Sequence, residues 1–120
     1  MKQHELGKKG EEMAVEFLQE EGYEIIERNW RFRHIELDII ARKGDQLIIA
    51  EVKTRSGNTY GEPSTAVDKN KQRAIIVAAE HYIYANKLDV DVRFDIISII
   101  KGNGRTVLEH IKEAFHPVAR

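Results

Sequence analysis

IELDIIARKGDQLIIAEVKTR, residues 35–55, carries two alternating runs rich in β-branched residues, Ile35 to Arg42 and Leu47 to Arg55. Between them Lys43-Gly44-Asp45-Gln46 has the composition of a tight turn, so the stretch predicts a β-hairpin. A loop of Gly44-Asp45 or of Lys43 to Gln46 gives the same register, with Asp38 facing Glu51 and Glu36 facing Lys53. Strand side chains alternate with period two, so these four are expected on one sheet face. Like charges directly opposed destabilise a strand pair, and unit charges about 4 Å apart repel by about 4 kcal/mol at an effective dielectric of about 20. A positive group between them would relieve that repulsion. Mg²⁺, a hard cation held by one or two carboxylates plus phosphate oxygens, has the right chemistry.

Working outward, Glu5 to Glu21 reads as an amphipathic helix with Leu6, Met13, Ala14, Phe17 and Leu18 on one face and Gly22 as its stop. Tyr23 to Arg31 reads as a strand preceding the hairpin. The stretch TRSGNTYGEPSTAVD after it has the Gly, Ser, Asn and Pro content of a loop. A second helix is expected over Lys69 to Asn86, burying Ile75, Ile76, Ala79, Tyr82 and Ile83. Val90 to Ile100 alternates as a long strand, Gly102-Asn103-Gly104 is a turn, and a further strand is readable over Thr106 to Ile111. The order α-β-β-β-α-β predicts an α/β fold, a mixed central sheet flanked by helices, because the fourth strand is reached through a helical crossover.

With 120 residues the chain is expected to form a single domain, residues 1–120. No apolar run approaches bilayer-spanning length, and MKQHELGKKGEE lacks the apolar stretch of a secretory signal, so a cytoplasmic protein without membrane contact is expected. The absence of cysteine excludes disulfides, thiolate metal sites and a cysteine nucleophile. His4, His34, His81, His110 and His116 show no close paired spacing, which leaves carboxylates as the expected metal ligands. A net charge of −1 excludes wholesale coating of nucleic acid and requires any such surface to be a local patch.

Asp38, then twelve residues, then Glu51-Val52-Lys53 is the pattern richest in chemistry. Two carboxylates that hold a metal and a lysine that orients water or stabilises developing charge suit phosphodiester hydrolysis. The bland alternative is a surface hairpin with a solvated polar face, although such a face more usually pairs opposite charges across strands. At about 100° per helical residue, Glu11 lies at the edge of the first helix's apolar face and Glu12 points away from it. Arg28, Trp30, Arg31, Phe32, Arg33 and His34 interleave bases with aromatics, as phosphate contacts and stacking surfaces do, or as a strand with one buried aromatic face does. Arg55 and Lys71 are further candidate nucleic-acid contacts. Lys71 opens the second helix beside Lys69 and Arg73, where cations oppose the dipole. Arg93 and Asp95 are expected to form a structural salt bridge.

The blocks GKKGEEMAVEFLQEEGYEIIERNWR, IELDIIARKGDQLIIAEVKTR, YGEP, KQRAIIVAAEHYI and VRFDIISI, in this order, resemble the YraN family of small bacterial proteins. That family is predicted to be endonucleases of the restriction-endonuclease-like PD-(D/E)XK superfamily, related to archaeal Holliday junction resolvases. One departure is visible, Ile35 standing where the family usually has glycine before the Glu-x-Asp motif. The resemblance implies that Asp38 and Glu51 are metal ligands for Mg²⁺ or Mn²⁺, that Lys53 is the superfamily lysine, that Glu11 is the first-helix glutamate near the metal, and that Glu36 is auxiliary. Gln72 falls near a position the superfamily sometimes uses. The implied substrate is nucleic acid, DNA rather than RNA, branched or structured. Related resolvases are symmetric dimers, and this sequence itself does not specify a homodimer. Rival readings are a non-catalytic nucleic-acid-binding protein of the same fold and a protein-interaction module using Trp30 and Phe32.

Overall fold

The hairpin forms in the expected register. In the computed structural model, which describes residues 3–56, 67–102 and 104–117, β2 (Ile35–Lys43) and β3 (Gln46–Ser56) run antiparallel with Ile39 opposite Ala50 and Lys43 opposite Gln46. Gly44 turns the corner at φ +62°, a left-handed conformation that costs other L-residues about 1–2 kcal/mol. β1 (Glu24–Phe32) lies antiparallel on the outer side of β2. Beyond β3 come β4 (Asp91–Gly102), parallel to it, and β5 (Arg105–Phe115), antiparallel to β4, in the order β1-β2-β3-β4-β5. A parallel step needs a crossover, and α2 (Lys69–Ala85) supplies it. The fold is therefore α/β, a mixed five-stranded sheet with α2 and α1 (Gln3–Glu20) as its helices. The first strand sits one residue later than its pattern suggested, and the last is longer. The YGEP block and the rest of residues 57–66 lie outside the described residues.

Each sheet face carries one helix. Ala14, Val15 and Leu18 of α1 pack on Ile39, Ala41, Ile48, Ala50, Ile97 and Ile99. Ile75, Ala78, Ala79 and Tyr82 of α2 pack on Leu37, Ile40, Leu47, Ile49, Phe94 and Ile96. Covered on both sides, the central strands are continuous apolar runs such as Leu47 to Ala50. Each fully buried Leu or Ile contributes about 1.5–3 kcal/mol. At Gly10 α1 lies close against β3, since a Cβ there would overlap the Thr54 hydroxyl.

The Arg93–Asp95 pair is present within a larger buried network. Arg93 donates to both Asp95 oxygens at 2.9 and 2.8 Å and to the Tyr23 hydroxyl at 2.8 Å. His110 Nε2 lies 2.7 Å from Asp95 Oδ2, and the Glu113 N–H donates to Oδ1 at 3.1 Å. Burial opposes the charge on Asp95, but the bonds from His110, Arg93 and Glu113 outweigh it and hold the carboxyl below its ordinary value. Among the described residues no helix is long and apolar enough to cross a membrane.

Candidate active site at the fork between two strands

Ile39 and Ala50 are the last opposed pair of β2 and β3. Past them β3 follows β4 as far as Ser56 and β2 follows β1 as far as Ile35, so the two strands fork. A side chain takes over the next ladder bond: Asp38 Oδ2 accepts the Val52 N–H at 2.8 Å. The Asp38 N–H reaches Glu51 Oε2 at 3.5 Å, the outer limit of a hydrogen bond.

Leu37 and Ile39, two residues apart, belong to clusters on opposite sheet faces, so strand alternation inverts at Asp38. That corrects the expectation that Glu36, Asp38, Glu51 and Lys53 share one face, because the Asp38 side chain turns toward β3. Nor does Glu36 face Lys53, since the ladder ends before reaching them. Glu36 instead lies opposite Arg31, paired with it at 3.3 Å. On β1 the gap between the pairs Arg28–Ile39 and Trp30–Leu37 falls at Asn29, whose φ is +54°. Asparagine is among the few residues that adopt this conformation readily.

The fork buries charge. Burial first, and the neighbouring Asp38 carboxylate second, push Glu51 up to about 8, with Lys71 and the Asp38 N–H opposing. Burial likewise raises Asp38 to about 6 against the Val52 hydrogen bond, and the charge of Glu11 adds to the rise. Glu11 is itself raised by burial, opposed by a hydrogen bond from the Asn29 side chain. Lys71 Nζ stands 3.8 Å from Glu51 Oε1. Lys53, two residues beyond Glu51 and opposite Ser98, shares the Glu51 face of β3.

Asp38 and Glu51 open onto a cleft of about 560 Å³. Its walls are His34, Ile35 and Glu36 on one side and Asp68, Asn70, Lys71 and Ala74 of the α2 start on the other. Asp68 caps α2, its Oδ1 accepting the Lys71 N–H at 2.9 Å. Ile35 lines the cleft and packs against the α2-side core. Hard oxygen donors short of positive charge fit Mg²⁺ or Mn²⁺, which commonly take one or two carboxylates and fill the rest of the shell with water and phosphate. Among the described residues no group of three His, Cys, Asp or Glu side chains gathers closely enough to hold a metal, and of the three candidate carboxylates Asp38 and Glu51 line the cleft while Glu11 is not among its lining residues.

The two first-helix glutamates separate as helix geometry predicts. Glu11 is half-buried and acts on Asp38, whereas Glu12 is exposed and pairs with Arg28 at 2.7 Å. The basic candidates scatter, whereas the aromatic ones pack together. Trp30 is half-buried, edge-on to Tyr82 with ring centroids 5.1 Å apart. Arg33 does not share a strand face with Arg31, because it lies past the end of β1, in the turn, at φ +58°. Arg55 is half-buried on β3 opposite Ile100, and Gln72 donates to the Val67 carbonyl at 2.7 Å, a bond that braces the start of α2. Asn29, Gly10, Asp68 and Asn70 were not foreseen. A glycine inside a helix and an asparagine inside a strand are unfavourable locally, and those were the available signals.

Comparison with known proteins identifies the family. The model of the uncharacterised protein family UPF0102 matches residues 10–99, a span that contains Glu11, Asp38, Glu51, Lys53 and Lys71. A UPF0102 protein of Christiangramia forsetii is 51% identical over 112 residues, covering 93% of this chain and 94% of its own. Another, from Bacteroides thetaiotaomicron, is 51% identical over 114 residues, with 95% and 94% covered. The chain belongs to the UPF0102 (YraN) family.

Proposed function

We propose that this protein is a Mg²⁺- or Mn²⁺-dependent endonuclease that hydrolyses phosphodiester bonds in branched or structured DNA, in the manner of the PD-(D/E)XK superfamily. The observation that carries the reading is the buried carboxylate pair, Asp38 and Glu51, whose ionisation is disfavoured where it meets an open cleft. Asp38 and Glu51 would hold the cation, which when bound supplies charge to the scissile phosphate and acidifies its water. Lys53 orients the water that adds to phosphorus, or stabilises charge as the bond to the leaving sugar oxygen breaks. Glu11, fixed by Asn29, accepts a hydrogen bond from that water. Lys71 leaves Glu51 for a substrate phosphate. A non-catalytic phosphate-binding role is the second reading, favoured by the Lys71–Glu51 pair, in which the carboxylate serves only to place the lysine. Cleavage of branched, flapped, single-stranded and duplex DNA and RNA with each metal decides between them. Hydrolysis abolished by Glu51→Gln with binding retained supports the enzyme, and binding without any cleavage by the parent supports the second reading.

A further inference from the structure

One face of α2 leads away from the cleft. Asn70 and Ala74 line the cleft wall, and Val77, His81 and Tyr84 continue the same helical face at alternating steps of three and four residues. Val77 is 46% exposed and Tyr84 85%, so a large ring stands almost wholly in solvent. His81 is held in place: its ring stacks on Phe32, centroids 4.0 Å apart and planes at 20°. Phe32 lies parallel to Trp30 at 6.5 Å, and Trp30 rests edge-on against buried Tyr82. A ladder of rings thus rises from the core and ends at an exposed imidazole, with the Arg33 guanidinium 5.1 Å from the centre of the Phe32 ring. Exposed cations flank the stripe, Lys71 and Arg73 at the cleft end and Lys87 at the far end beside Tyr84, with Glu80 as an exposed acid between them.

Rings spaced along a cationic track suit a nucleic-acid strand whose bases are free to stack, because every base has a π-face and the cations take phosphates. A duplex cannot use such a surface, its bases being stacked on one another. An apolar peptide helix is a poor fit, since the stripe is interrupted by His81 and flanked by charge.

We propose that this stripe is the track of an unpaired DNA strand running from the scissile phosphate, with the His81–Phe32 stack and Tyr84 as base-stacking stations. The inference rests on the nuclease reading of the cleft and names its substrate, a DNA with a single-stranded arm. From Asn70 to Tyr84 the helix rises about 21 Å, the length of about six nucleotides at the spacing of about 3.4 Å that one strand has in a duplex, and fewer for a more extended strand.

The test is fluorescence anisotropy of end-labelled oligothymidylates of three, six and ten nucleotides, and of a ten-pair duplex, with the whole chain and no metal. Affinity should climb up to about six nucleotides and then level. Tyr84→Ala and His81→Ala should each weaken binding of the six-nucleotide strand by about tenfold and leave the three-nucleotide strand and the duplex unaffected, and Tyr84→Ala, whose ring stands in solvent, should keep the parent melting temperature. Tyr84→Phe, which retains the ring, should bind as the parent does. Six-nucleotide binding unchanged in both alanine variants, or a parent that prefers the duplex or binds no single strand, overturns the track. Ring-dependent binding by a parent that cuts nothing with Mn²⁺ keeps the track and removes the nuclease reading.

Discussion

Asp38 Oδ2 accepts the Val52 N–H at 2.8 Å, so one carboxylate both closes the sheet where β2 leaves β3 and faces the cleft beside Glu51. The hydrogen bond needs only an acceptor, whereas a cation needs the charge. Variants at this position separate the two.

Asp38→Asn keeps an acceptor for Val52 and removes repulsion with Glu51, so the metal-free protein should be at least as stable as the parent. Asp38→Ala leaves the Val52 N–H without its acceptor and should fall below the Asn variant by about 1–3 kcal/mol. Millimolar Mn²⁺ should raise the melting temperature of the parent and of neither variant. Thermal melts with and without Mn²⁺ check this, and a parent indifferent to the metal would count heavily against a metal site.

The fork also sets a pH dependence of definite sign. Folding raises Glu51 to about 8 and Asp38 to about 6, so the native state binds protons that the unfolded chain, with carboxyl values of about 4, has released. The contribution is fully present below the unfolded values and is lost as pH rises through about 6 and then about 8. Metal-free protein should therefore be less stable to urea at pH 9 than at pH 6, and Glu51→Gln should flatten that slope. Because a cation displaces these protons, apparent Mn²⁺ affinity should rise over the same window. A Glu51→Gln variant with the parent slope would place the titration elsewhere.

Gly10 lets α1 lie against β3, and the neighbouring Glu11 depends on that approach. Alanine is the better helix former by about 1 kcal/mol, yet Gly10→Ala should destabilise by about 1–3 kcal/mol through overlap with Thr54. Adding Thr54→Ala should recover much of the loss, since both the hydroxyl and the methyl that meet the new Cβ are gone. A double-mutant cycle by urea denaturation measures the coupling, and additive effects would mean that the helix does not press on Thr54.

The hairpin register is legible in residues 35–55 because a short turn between two alternating runs admits one pairing, and the crossover follows from the helical period between Lys69 and Asn86. Local pattern does not reach the inversion at Asp38. A side chain bonding across to the backbone of Val52 is a tertiary event, and strict period two carries straight through it. The same limit explains Asn29, whose polar side chain in a strand looks merely solvated until Glu11 is found beside it. Asp38, Glu51, Lys53 and Glu11 are readable as candidates in the sequence from charge repulsion, the residue pattern and helix phase. The α2 wall of the cleft, Asp68 and Asn70, lies far along the chain and comes near only through the crossover.

Glu11 and Glu12 are adjacent and chemically identical, and the fold gives them opposite surroundings. Glu11 is half-buried, receives the Asn29 hydrogen bond and acts on Asp38. Glu12 is exposed and holds Arg28 at 2.7 Å in a surface ion pair, worth about 0–1 kcal/mol. Glutamine preserves shape and an acceptor oxygen at either position, so neither substitution should unfold the protein. If the cleft hydrolyses phosphodiesters, Glu11→Gln should lower kcat by a factor on the order of 10² through loss of charge beside the attacking water. Glu12→Gln should leave kcat close to the parent value and only weaken the hold on Arg28. Single-turnover cleavage by the two variants, with matched melting temperatures, makes the comparison. Equal losses, or a larger loss at Glu12, would show that the first helix does not present Glu11 to the reacting phosphate.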